Sequence, residues 1–120
     1  MSFGFLHGPA PEAQVVLDLR EHFRDPHVDP AVRELTAADR AIRRAVLGTP
    51  GVRLLLAATV RQVAAFAAGP SGGPIAVAAG CAGGRHRSAV AANAIARRLR
   101  RRGHTVTVTH RDIRKPVVQR

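Results

Sequence analysis

The chain has 120 residues, one cysteine and a formal net charge of +11. That length predicts one domain, residues 1–120, burying roughly two-thirds of its unfolded surface, and the single cysteine excludes an internal disulfide framework. The most apolar stretch, VRLLLAATVRQVAAFAAG, is interrupted by Arg53, Arg61 and Gln62, which excludes a membrane span. The N-terminus lacks the basic-then-apolar pattern of a signal peptide, so a soluble, cytoplasmic protein is expected.

SFGFL at 2–6 reads as a short strand, ended by the turn-like HGPAP. QVVLDL at 14–19 reads as a second strand, continuous enough to lie inside a sheet. EHFRDPHVDPAVREL fits neither period and is expected to be either a long ordered loop, of a length that often carries function, or disordered. Thr36 with Asp39 three positions on has the form of a helix start, and the helix runs to about Leu47 before Gly48-Thr49-Pro50. A second helix carries Val52, Leu56, Thr59, Val63 and Phe66 at helical spacing and ends at Ala68. Residues 75–79 read as a short buried strand. From Arg87 to about Arg102 the pattern is helical, with Ala91, Ala92, Ile95 and Leu99 on one side and Gly103 as a left-handed cap. His104–Thr109 alternates like a last strand, and 111–120 is a basic tail. Strands separated by helices predict an α/β domain with a small, mixed or mostly parallel sheet and helices packed on it.

The charge is concentrated. Residues 1–80 hold eight arginines against seven carboxylates, whereas 81–120 hold ten arginines and Lys115 against Asp112 alone. A solvated basic face explains part of this; binding of RNA or of a small phosphorylated ligand explains it equally well. With four Phe and no Trp or Tyr, contacts to RNA would go chiefly to backbone and shape.

In parallel α/β sheets ligands bind beyond the carboxyl ends of the strands. GCAGGRHRS at 80–88 falls at that place, between strand 75–79 and the long helix. Gly83 and Gly84 let backbone N–H groups approach an anion, and the helix start adds partial positive charge. Arg85 or Arg87 can fork onto phosphate oxygens, with His86 and Ser88 as further donors. A tight turn with its arginines in water is the plainer alternative. The same letters give Cys81-x5-Arg87-Ser88, similar to the signature loop of cysteine-dependent phosphatases, with Cys81 as nucleophile and Arg87 holding the phosphate. That reading needs a general acid, for which Asp25 and Asp29 are candidates. A buried, inert cysteine is the competing explanation. No metal site or cofactor is indicated.

SFGF at 2–5, Val15 with Asp18-Leu19-Arg20, DPHVDPAVRELT at 25–36, GCAGGRHRSAV at 80–90 and VTHRDI at 108–113 recur together in one family. In order and spacing the chain resembles the C-terminal domain of the RapZ family of RNase adapter proteins. That resemblance implies binding of an amino-sugar phosphate, glucosamine-6-phosphate, and of small RNAs, in control of RNA decay and cell-envelope precursor supply. It implies sugar-phosphate contacts from His27, Ala82, Gly83 and Arg87, with Ala82 standing where the family usually has threonine and Arg85 where it has lysine. It also places RNA contacts loosely on Arg97, Arg98, Arg100, Arg101, Arg102, Arg111, Arg114 and Lys115. Asp18 and Arg20, at the same sheet rim, are either ligand contacts or an ion pair anchoring the loop. The family's Walker A loop has no counterpart here, so no ATPase is implied; a free-standing version of the domain is expected rather than a fragment. A protein partner in RNA processing and a homo-oligomer stay open.

Overall fold

The computed structural model describes residues 1–23 and 39–116. Within them lie three strands, β1 (Ser2–Gly4), β2 (Val15–Asp18) and β3 (Val77–Cys81). Three helices accompany them, α1 (Arg40–Leu47), α2 (Val52–Ala67) and α3 (Arg87–Arg101). The expected helix start at Thr36 and the loop residues Asp25, His27 and Asp29 lie outside the described residues.

The sheet has the order β1-β3-β2 and both pairings are parallel, so the architecture is the α/β layer expected. β3 occupies the centre. β2 therefore forms an edge among the described residues rather than an interior strand, and its burial alternates, with Val16 46% exposed. The central strand also lies two residues later than the apolar run suggests. Gly80, which reads as a turn, belongs to the strand because a Cβ there would sit 2.4 Å from Phe3 Cζ and 2.6 Å from Phe5 Cε2. Phe3 and Asp18 are both in register with Gly80 and so share its face of the sheet. The Phe3 and Phe5 rings meet edge to face, centroids 4.7 Å apart, over that glycine.

The opposite face carries the helices. Leu17 and Ala79, in register with each other, join Val15, Leu19 and Cys81 in one core with Val52, Leu56, Val60 and Val63 of α2 and Ala91, Ile95 and Leu99 of α3. Alanines 89, 91, 92 and 96 are all buried on α3, and their small side chains let the helix approach the sheet closely. Ile42 and Val46, one turn apart on α1, pack against Ala89 and Val90. Gly103, at φ +92, closes α3: its N–H donates to Arg100 O and that of His104 to Leu99 O, the paired bonds of a glycine-terminated helix.

The expected last strand does not form a ladder. Residues 104–109 alternate in burial as a strand would, and Val106 packs on the core, but among the described residues the backbone pairing is a parallel bridge between Ser2 and His110. β1, the neighbour it would pair with, is three residues long and already meets the segment at its first residue. Ser2 N–H donates to Thr109 O at 2.9 Å, and Arg111 N–H to Ser2 O at 3.0 Å. Overpacking beneath the two rings is the sharpest test of this layer. Gly80→Ala should lower stability by roughly 1–3 kcal/mol, read as a shifted urea midpoint at unchanged slope.

Candidate anion site at the end of the central strand

All three strands run in the same direction, so their carboxyl ends share one rim. From β3 the chain passes through Ala82–His86 directly into α3. The approach to β1 is backbone on backbone: a Cβ on Gly4 would lie 2.4 Å from Gly83 C, and one on Gly84 2.6 Å from Gly4 N. Gly84 also takes φ +76, a conformation that glycine adopts without strain. Leu6 N–H donates to Ala82 O at 3.0 Å, which fastens the loop's first residue to the turn after β1.

Inside the loop the Gly84 N–H points at Cys81 Sγ, 3.2 Å away, and Ser88 Oγ lies 3.2 Å from the same sulfur. Cys81 is 3% exposed and Ser88 fully buried. Ser88 thus faces the sulfur rather than the surface. Arg87, the first residue of α3, reaches across to the end of β2, where its Nη1 donates to Leu19 O at 2.8 Å. Its guanidinium therefore stands between the two strand ends. Arg85, His86 and Arg87 are half-buried along the loop's rim.

Asp18 and Arg20 form a two-pronged ion pair, with Arg20 Nη2 2.7 Å and Nε 2.9 Å from the carboxylate oxygens. The hydrogen bond from Arg20 holds the Asp18 carboxyl below its ordinary range. The Arg20 guanidinium lies over the Phe5 ring, 3.7 Å from its centroid. The pair thus joins the end of β2 to the aromatic cover of Gly80, and both partners remain about half exposed at the rim.

Asp112 is the residue that chain order does not reveal. It is fully buried, and its Oδ2 accepts from Gly4 N–H at 2.7 Å and from Arg111 Nε at 2.9 Å. Lys115 Nζ lies 2.6 Å from Oδ1, a charge contact that falls short of hydrogen-bond geometry. Burial raises the pKa of this carboxyl, but the Gly4 amide and the two cations more than offset it and hold it below the usual value. Arg111 further donates to Pro9 O at 2.7 Å. Of the residues grouped for RNA, Arg111 and Lys115 are thus engaged with Asp112, while Arg97, Arg100, Arg101 and Arg102 are exposed on or just after α3, with Arg98 half-buried among them. In the sequence Asp112 shows as part of the VTHRDI segment and as a single carboxylate among eleven cations, and neither signal indicates burial.

The family model described as the RapZ C-terminal domain matches residues 1–114. The chain belongs to that family. A nucleotide-binding protein of Thermus thermophilus is 44% identical over 119 residues, covering 96% of this chain and 42% of its own length. One of Rubrobacter xylanophilus is 40% identical over 124 residues, covering 94% and 39% respectively. One of Moorella thermoacetica is 34% identical over 116 residues, covering 94% and 38%. The chain thus spans about two-fifths of the length of these relatives. Among the described residues no helix is long and apolar enough to cross a membrane, and no cluster of His, Cys, Asp or Glu could hold a metal ion.

The Asp112 knot predicts a pH dependence. Because its pKa is lowered in the folded chain, its contribution is fully present above the ordinary carboxylate range and is lost as pH falls through the folded value. Asp112→Ala should cost roughly 1–3 kcal/mol at neutral pH by stranding the Gly4 N–H. It should also flatten the acid limb of a stability–pH curve measured by denaturant titration.

Proposed function

We propose that this domain is a non-catalytic sensor that holds a sugar phosphate at the 82–88 loop and binds RNA through its basic last third. Family membership is consistent with a regulatory role. The observation that carries the ligand reading is the strand–glycine–helix junction: Gly83-Gly84 pressed on Gly4, α3 starting at Arg87, and the Arg87 guanidinium held across the strand ends by Leu19 O. A helix start of this kind stabilises a phosphate through its amides and partial positive charge, and Arg87 can fork onto two of its oxygens. Gly83, Arg85 and His86 would line the anion, while the Gly84 N–H stays turned to Cys81 Sγ. Ala82, 5% exposed, would contribute through its backbone. Asp18 and Arg20 would form the rim toward the sugar. Resemblance to the family makes an amino-sugar phosphate such as glucosamine-6-phosphate the first candidate, with His27 as a further contact.

Titration calorimetry with glucosamine-6-phosphate and with glucosamine tests this reading. Heat should appear for the phosphate ester only, and Arg87→Ala should weaken binding by about 1.5–3 kcal/mol, the range for a hydrogen bond to a charged group. Equal heats, or none, exclude the sugar-phosphate reading.

The contacts of Ser88 Oγ and the Gly84 N–H with Cys81 Sγ favour a second reading, a cysteine-dependent phosphatase. The Gly84 N–H donates to the sulfur, and Ser88 Oγ, which accepts from the thiol, could become a donor to the thiolate by turning its hydroxyl. The thiolate would attack phosphorus and expel the alcohol, and water would then hydrolyse the phosphocysteine. The 3% exposure of Cys81 requires the loop to open first. Incubation with an aryl phosphate decides: turnover abolished by Cys81→Ser supports the enzyme, and no turnover in the unmodified protein dismisses it.

A further inference from the structure

Of the basic residues grouped for RNA by chain order, Arg97, Arg100 and Arg101 line one cavity together with Arg43, which nothing in chain order groups with them. These four line a cavity of about 510 Å³ between α1 and α3, floored by Leu47, Val90 and Ala94. Val90, Ala94, Arg97 and Arg101 follow one another at helical spacing on α3, and Arg43 and Leu47 are one turn apart on α1. The concavity therefore comes from two helix faces packed side by side.

Its electrostatics have one sign. Among the described residues no carboxylate lines it, so the four arginines, three on α3 and one on α1, give its lining a single sign of charge. Like charges one helical turn apart oppose helix formation, and a bound anion would relieve them. Arg100 is already held in place, its Nη2 donating to Val106 O at 2.7 Å. A lone phosphate would fill a small part of the space. The volume falls in the range of sites for a molecule of nucleotide size, roughly 300–1,000 Å³.

We propose that this α1–α3 cavity receives an unpaired nucleotide of RNA, its phosphates on the arginines and its base on the apolar floor. The inference rests on the RNA reading above and specifies where and in what form RNA is held. Unpaired RNA offers bases that can turn out of the stack and lie on guanidinium planes, whereas a duplex presents backbone to shallow surfaces. The described lining holds no aromatic residue on which a base could stack, so the base would rest on Leu47, Val90 and Ala94 while the arginines take its phosphates.

Fluorescence anisotropy with a single-stranded RNA of about 12 nucleotides, within the span that single-strand binding folds cover, and a fully paired duplex of equal length tests this at several salt concentrations. The unmodified protein should favour the single strand. Arg43→Gln and Arg97→Gln, both at exposed positions, should each weaken single-strand binding about tenfold or more. Each should also reduce the log–log salt slope by about 0.7. Arg43→Lys should recover part of the loss, and Arg61→Gln on α2 should behave as the unmodified protein. If the protein binds single-stranded RNA steeply with salt but Arg43→Gln does not weaken it, the cavity is excluded while the RNA reading stands. If strand and duplex bind equally and Arg43→Gln weakens both, the cavity grips backbone and the unpaired-nucleotide inference falls. If the unmodified protein binds neither RNA, both fall together.

Discussion

Close approach of backbones organises this domain. Gly4 lies against the Gly83-Gly84 backbone at distances that leave no room for a Cβ on Gly4 or on Gly84. The same junction is clamped by the Asp112 carboxylate, which accepts the Gly4 amide hydrogen. Steric intimacy and a buried charge thus act on one spot: the glycines let the loop settle onto β1, and the carboxylate fixes the end of β1 beneath it. The loop that follows β3 takes its position at the strand rim from this contact. Arg87 can cross to Leu19 O only because the loop delivers the start of α3 beside the end of β2.

The arginines divide by environment more than by place in the chain. Some are structural: Arg111 ties Asp112 to Pro9 O, and Arg20 ties Asp18 to the Phe5 ring. Others remain on the solvent side of α3, where their charges set the field around the molecule. Three of those meet Arg43 across a groove, although 54 positions separate Arg43 from Arg97. Net charge alone does not sort these roles, since each guanidinium contributes the same unit to the total whether it clamps a carbonyl or faces solvent.

Much of the layer arrangement is legible in the sequence because periodicity reports burial directly. Val52, Leu56, Thr59 and Val63 are all buried on α2, and Gly103 ends α3 as its place after an arginine-rich turn implies. The departures come from long-range partners that local patterns do not encode. Gly80 looks like punctuation, yet it continues a strand because two rings, from residues 3 and 5, occupy the space above it. His104–Thr109 looks like a strand, yet a ladder needs a neighbour, and β1 offers only its first residue. The loop at 80–88 stands out by composition and lies at the strand rim. Asp112 falls within the VTHRDI segment, but its role is not legible there, because a carboxylate acquires a structural role only through what folds around it.

The beginning and the end of the described chain meet in the same layer. Ser2 bridges to His110, its hydroxyl 2.6 Å from the imidazole Nδ1, and Gly4 bonds to Asp112. β1 moreover pairs with a strand some 77 positions away. Contacts so distant in sequence form late, since loop closure must precede them. On the ribosome the β1 ladder must therefore wait for β3 to emerge, and the clamp from His110 and Asp112 is added only about thirty residues later.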